Sequence, residues 1–141
     1  MTFVLDASVA FKWEVSEAGS DLAIRLRDET RRGLHQRIAP DVFSIELAHS
    51  MTRAERQARV STARGWDLVL SIMADAPALV PDAPLVPRAY AISSRYRTGV
   101  YDCLYVALAE QEGCSFLTAD IRLVRSLQPQ FPFIVALDTF P

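Results

Sequence analysis

Two kinds of apolar pattern alternate along this chain. Short β-branched or aromatic runs stop at an acid or a proline, and between them apolar residues recur every three to four positions, the period of a helix buried along one side. Thr2–Leu5 (TFVL) is the first strand-like run, stopped by Asp6, and Ser8–Trp13 predicts a short helix. Ser16 opens a longer helix to about Arg32, with Leu22, Ile24 and Leu26 on its apolar side and Gly33 as its stop. Arg37–Ala39, closed by Pro40, predicts a second strand. From Asp41 onward Phe43, Leu47, Met51, Ala54 and Ala58 form one stripe at helical spacing, and Glu46, Ser50, Arg53 and Gln57 keep the same spacing about a quarter turn away.

Ser61 caps the next predicted helix, which runs through Ala74 and carries Trp66, Val69, Leu70 and Met73. Ala78–Val80, bracketed by Pro77 and Pro81, predicts a third strand, and further prolines at 84 and 87 mark a loop into a helix over Pro87–Arg97. The stretch from Tyr101 to Asp120 then predicts a helix over Asp102–Glu112 that is apolar on nearly every side, a turn at Gly113 and a strand over Ser115–Thr118. A helix through Leu127 and a strand over Phe133–Leu137 complete the series. Short strands alternating with helices predict an α/β sandwich around a mainly parallel sheet of about five strands. The 141 residues show no repeat, low-complexity segment or internal boundary, so a single domain over 1–141 is expected.

Four acids interrupt this apolar frame. Asp6 and Asp120 follow strands, at the edge where parallel sheets collect ligands. Asp102 heads the most apolar helix, and Glu46 borders the core stripe. Singly, each Asp is explained by helix capping, and Glu46 by pairing with Arg53. Together they would repel one another strongly, and a buried charge is costly unless it is paired, hydrogen-bonded or metal-bound. Hard divalent cations, Mg²⁺ or Mn²⁺, take such oxygen ligands. A cation held there can activate water for phosphodiester hydrolysis without a nucleophilic side chain.

Composition and charge narrow the chemistry. With 15 basic residues against 17 acidic ones the net charge is −2, so nucleic-acid binding would have to be local or metal-assisted. Lys12 is the only lysine, and the other basic residues are arginines. Cys103 and Cys114 lack the spacing of a zinc site and fit small buried hydrophobes in a reducing compartment. No run has the ~20 apolar residues of a membrane span, so a cytoplasmic location is expected. There is no GxSxG elbow and no P-loop glycine run. Of the two histidines, His35 sits in a polar turn and is expected to be exposed, while His49 lies one turn beyond Glu46 and points toward the surface or a substrate.

Four segments carry a resemblance: FVLDASVAFKW with Asp6 and Ser8, SIELAHSM with Glu46, YDCLYVALAE with Asp102, and FLTAD with Thr118 and Asp120. In order and spacing, over essentially the whole chain, it resembles the PIN-domain nucleases and, within them, the VapC-type toxins of bacterial toxin–antitoxin pairs. The resemblance implies a PIN-like fold and an endoribonuclease dependent on Mg²⁺ or Mn²⁺. Asp6, Glu46, Asp102 and Asp120 would be its catalytic metal ligands, with Ser8 and Thr118 as accessory hydroxyls. It also implies an RNA substrate, a cognate antitoxin partner and a homodimer. Some relatives carry another acid just after the fourth, where this chain has Ile121, Arg122 and Leu123, so a second metal would bind weakly or only with substrate.

Substrate contacts are assigned to Arg53, Arg122 and Tyr101. Arg56, Arg59 and Arg64 extend a basic segment that either tracks an RNA backbone or forms a salt-bridged surface with Glu55, and Tyr101 and Trp13 either stack on bases or pack against the fold. The alternative function is a PIN-like binding module that acts through its antitoxin with little activity of its own.

Overall fold

The computed structural model describes all 141 residues. Five parallel strands, β1 (Thr2–Leu5), β2 (Gln36–Pro40), β3 (Ala78–Val80), β4 (Ser115–Thr118) and β5 (Ile134–Ala136), lie in the order β3-β2-β1-β4-β5. β1 is central, and Phe3, Val4 and Leu5 are fully buried, as expected for a strand covered on both faces. Leu5 registers with Leu117 on β4, and Phe3 with Arg37 on β2. The chain winds outward from β1 to β3, crosses back to β4 and winds outward again to β5. The direction therefore reverses between β1 and β4, which opens a crevice at their carboxyl ends.

Seven helices flank the sheet: α1 (Ala7–Phe11), α2 (Ser20–Arg31), α3 (Val42–Arg56), α4 (Thr62–Met73), α5 (Val86–Tyr96), α6 (Val100–Glu112) and α7 (Ile121–Leu127). α6 lies against β1, β2 and β4 with α5 behind it, while α1 and α3 pack together, α1 against β4 and α3 against β2. Seven consecutive residues of α6, Cys103 to Ala109, are buried, and Tyr105 stacks on Phe116 of β4 at 5.4 Å between ring centroids. Both cysteines are free, and burial pushes the Cys103 thiol up to about 11. No helix is long and apolar enough to cross a membrane.

The expected elements all form, with informative shifts. The second helix starts at Ser20 rather than Ser16, because the preceding residues are held as a loop: Ser20 Oγ accepts from the Glu17 N–H, and Lys12 Nζ donates to Glu17 and to the Ala18 carbonyl. α3 ends at Arg56, so Ala58 leaves the core stripe; it is exposed, with φ +57°. The N–H groups of Ala58 and Arg59 bond back to the carbonyls of Glu55 and Ala54, a Schellman closure with alanine in the left-handed position. In α4 the buried side chains are Leu68, Val69 and Ile72, whereas Trp66 is 64% and Leu70 51% exposed. That helix has apolar residues on more than one side, and packing on α3, where Gly65 meets Glu55, selects the buried one. α6 begins at Val100, which places Asp102 inside its first turn rather than ahead of it.

Two side chains turn out to belong to the packing. Trp13 is buried, its Nε1 donating to the Ala23 carbonyl and its ring covered by the Arg37 guanidinium at 4.9 Å, so it has no face for a base. His35 is not an exposed turn residue: it packs against the rings of Phe3 and Phe140, and its Nε2 lies 3.1 Å from Glu29.

Candidate active site

β1 stops at Asp6 because the next residues turn into α1, and the Asp6 N–H still donates to Leu117 at 3.0 Å, as if the strand continued. Its carboxylate is therefore fixed at the crevice between β1 and β4. Oδ2 accepts from Ser8 Oγ at 2.8 Å and from Thr118 Oγ1 at 2.6 Å. Both hydroxyls also accept backbone bonds, Ser8 from Ala119 N at 3.1 Å and Thr118 from Asp120 N at 3.0 Å. Two small hydroxyls thus clamp the ends of the two central strands around one carboxylate. Asp6 is 5% and Thr118 0% exposed. Burial pushes the Asp6 carboxyl up, Asp120 adds to this, and the two hydroxyls oppose it.

Asp120 caps α7, with Oδ1 accepting from the N–H groups of Arg122 and Leu123. The capping explanation holds for this acid, and it leaves Oδ2 without a protein hydrogen bond. Asp6, although at an N-cap position, makes no cap bond to α1. Asp102 makes no side-chain hydrogen bond to α6.

Glu46, on α3, faces the same crevice. The start of α3 is held from outside, by Asp82 Oδ1 accepting from Val42 N at 3.2 Å. Glu46 Oε1 is buried without a hydrogen-bond partner, and so is the Tyr105 hydroxyl beside it, which perturbs Glu46 without completing a well-formed bond. Burial, then Asp6, Asp102 and Asp82, push Glu46 up to about 7. Burial, then Asp6 and Asp120, push Asp102 up to about 7. The four acids therefore share one electrostatic field.

Oxygen-only donors, an orphaned buried carboxylate oxygen and three carboxyls with raised pKa suit a hard divalent cation. As placed, no three acidic, histidine or cysteine side chains stand close enough to hold an ion. Asp6 and Asp120 are held by hydrogen bonds, whereas Glu46 and Asp102 make none.

Glu46 and Asp120, but neither Asp6 nor Asp102, line a cleft of about 570 Å³. Glu46, Ser50, Arg53 and Gln57, the polar stripe of α3, form one wall, and Ser8, Asp120 and Ala119 lie opposite. Sequence patterning missed the far end, where Glu17 bridges Lys12 at 2.9 Å and Arg59 at 2.7 Å. The available signal was weak: Lys12 is one helical turn beyond Ser8 and is the only lysine. The basic segment is divided by the fold. Arg53 and Arg59 line this cleft, and Arg59 also borders a second one, which Arg64 lines beside Glu14. Arg122 is exposed on α7 outside the cleft lining, and Tyr101 stands exposed on the other side of Glu46.

A family model described as PIN domain matches residues 3–126. Ribonuclease VapC12 of Mycobacterium tuberculosis H37Rv is 35% identical over 124 residues, covering 87% of this chain and 90% of the relative. The VapC ribonuclease Mb0985 of Mycobacterium bovis is 32% identical over 124 residues, covering 86% and 96%. Among solved structures, PAE2754 from Pyrobaculum aerophilum aligns with a TM-score of 0.71 at 18% identity, over 99% of this chain and 85% of that one. VapBC2 from Rickettsia felis, bound to a DNA fragment from its promoter, aligns with a TM-score of 0.61 at 11% identity, over 96% and 97%. This chain belongs to the PIN-domain family, in its VapC group.

Proposed function

We propose that the chain is the toxin of a toxin–antitoxin pair, an endoribonuclease that hydrolyses RNA phosphodiesters at the crevice between β1 and β4. The observation that carries this is the hydroxyl-clamped Asp6, electrostatically linked to Glu46, Asp102 and Asp120, beside a cleft walled by Arg53 and Arg59. The likeness to the VapC ribonucleases and to the VapBC2 structure supports the activity and the antitoxin partner.

Asp6, Glu46, Asp102 and Asp120 would hold Mg²⁺ or Mn²⁺, which when bound supplies Lewis-acid activation of water and neutralises charge on the phosphodiester. Ser8 and Thr118 orient Asp6 and oppose the upward push of burial on its carboxyl. Arg53 has no carboxylate at ion-pair distance and is free to take a phosphate, whereas Arg59 would exchange Glu17 for one. The exposed Trp66 and Leu70 on α4 fit a homodimer contact. A single unit over 1–141 acting in the cytoplasm is consistent with the one sheet and the lack of a membrane-spanning helix.

The test is cleavage of RNA by purified wild type and Asp6→Asn, with and without EDTA, followed by ligation assays of the ends. Metal-dependent cuts bearing 5′-phosphate and 3′-hydroxyl, lost in Asp6→Asn, are expected. Equal cutting by both proteins refutes the mechanism, and growth arrest retained by Asp102→Ala would favour a binding module instead.

A further inference from the structure

Glu46 stands on the rim of two depressions. One is the cationic cleft described above. The other, about 310 Å³, lies on the opposite side of Glu46 and is lined by Val42, Ile45, His49 and Tyr101. It is apolar where the first is charged. Tyr101 is 60% and Ile45 69% exposed, although each adjoins a buried element, so neither serves the core. Tyr101 also immediately precedes Asp102, and its ring is therefore positioned by the same helical turn that carries a site acid.

We infer that this pocket is a base-binding subsite, taking one unstacked nucleobase of a single-stranded RNA whose neighbouring phosphate lies at the acid cluster. The inference rests on the ribonuclease activity proposed above. The occupant follows from continuity: a strand held by Arg53 and Arg59 on one side of Glu46 must leave across the other, where it meets an aromatic face, two aliphatic side chains and one imidazole. An aromatic ring offers stacking to any base, and His49 adds a hydrogen-bonding group for a base edge. A base inside a duplex is already stacked and cannot enter, so the substrate class is a single strand or loop.

The experiment uses the full chain with Mn²⁺. A pool of short single-stranded RNAs of random sequence is cut and the ends are sequenced to locate a preferred site. Abasic nucleotides are then placed on either side of that site, and kcat/KM is measured for wild type, Tyr101→Phe and Tyr101→Ala. At one flanking position the wild type is expected to lose about ten-fold on removal of the base, the worth of one stacking contact. Tyr101→Phe should behave as wild type. Tyr101→Ala should lose about ten-fold on intact RNA and nothing further on the abasic one, because both changes remove the same contact. Losses that multiply independently, or an unimpaired Tyr101→Ala, overturn the subsite while leaving the nuclease standing. Absence of metal-dependent ends with the wild type overturns the nuclease, and the subsite with it. Tyr101→Ala that cuts normally but no longer binds a co-expressed antitoxin shows the pocket to be a protein contact and refutes the inference.

Discussion

Without metal, the acid cluster destabilises the fold, and the size of the effect follows from two carboxyls. Burial and neighbouring acids raise Glu46 from 4.5 to about 7, and Asp102 from 3.8 to about 7. Between those limits the folded chain binds more protons than the unfolded one, so stability falls as pH rises through the interval and levels off above it. At Glu46 alone the displacement is worth about 3 kcal/mol, with Asp102 acting in the same direction. Glu17, Asp75 and Glu110, held low by Lys12, Arg31 and Arg88, have the opposite sign. Their contribution is lost only as pH drops below about 4.5, outside the window. The assay is thermal unfolding of chelator-treated protein from about pH 5 to pH 8 at constant ionic strength. The Glu46 share corresponds to a fall of about 10 °C in Tm. Glu46→Gln should lose that share of the slope, and saturating Mg²⁺ or Mn²⁺ should flatten the wild-type curve by favouring the ionised carboxylates. A metal-free wild type whose Tm is level or rises over this window, or a Glu46→Gln slope equal to it, would refute the argument that burial and mutual repulsion dominate these groups.

Four further outcomes are expected. Thr118→Val keeps the shape but strips a buried donor from Asp6 and an acceptor from Asp120 N, and should cost about 2–4 kcal/mol in urea unfolding, against about 1 for Thr118→Ser. Tyr105→Phe removes an unpartnered buried hydroxyl while retaining the stack on Phe116; its stability should be unchanged or higher by up to about 1 kcal/mol, and a loss would show that the hydroxyl is bonded to Glu46 in solution. Ala58→Gly relieves the left-handed Schellman position and should raise stability by up to about 1 kcal/mol in the same assay. Arg53→Ala should weaken binding of single-stranded RNA and lower the magnitude of the slope of log K against log salt by about 0.7, one phosphate contact fewer; an unchanged slope would remove Arg53 from the RNA path.

Much of this protein is legible in its sequence because its elements announce themselves locally. β1, β3 and β4 form over the predicted residues, since short β-branched or aromatic runs closed by acid or proline have few other ways to bury themselves. The acids are conspicuous for the same reason, as each interrupts an apolar context. Even the cleft wall is written into α3, because Glu46, Ser50, Arg53 and Gln57 follow one helical period. Periodicity places Trp66 and Leu70 on α4 but not their exposure, because that helix is apolar on more than one side and packing on α3 decides which side is buried. Trp13 and His35 were likewise beyond local patterning, since their partners Ala23, Arg37 and Phe140 are distant in sequence.

The sequence by itself determined which residues are candidates for the chemistry: four carboxylates, two small hydroxyls and a shortage of alternatives. Only the tertiary structure decided how they act on one another. Winding reverses between β1 and β4, so residues more than a hundred positions apart meet as Asp6, Ser8 and Thr118. The raised pKa values arise from burial and from acids brought together by separate elements, and the ion network of Lys12, Glu17 and Arg59 from the end of α3 reaching the loop after α1. Periodicity reports which side of an element is apolar, whereas burial and distance belong to pairs of elements, and those are set only when the sheet is assembled.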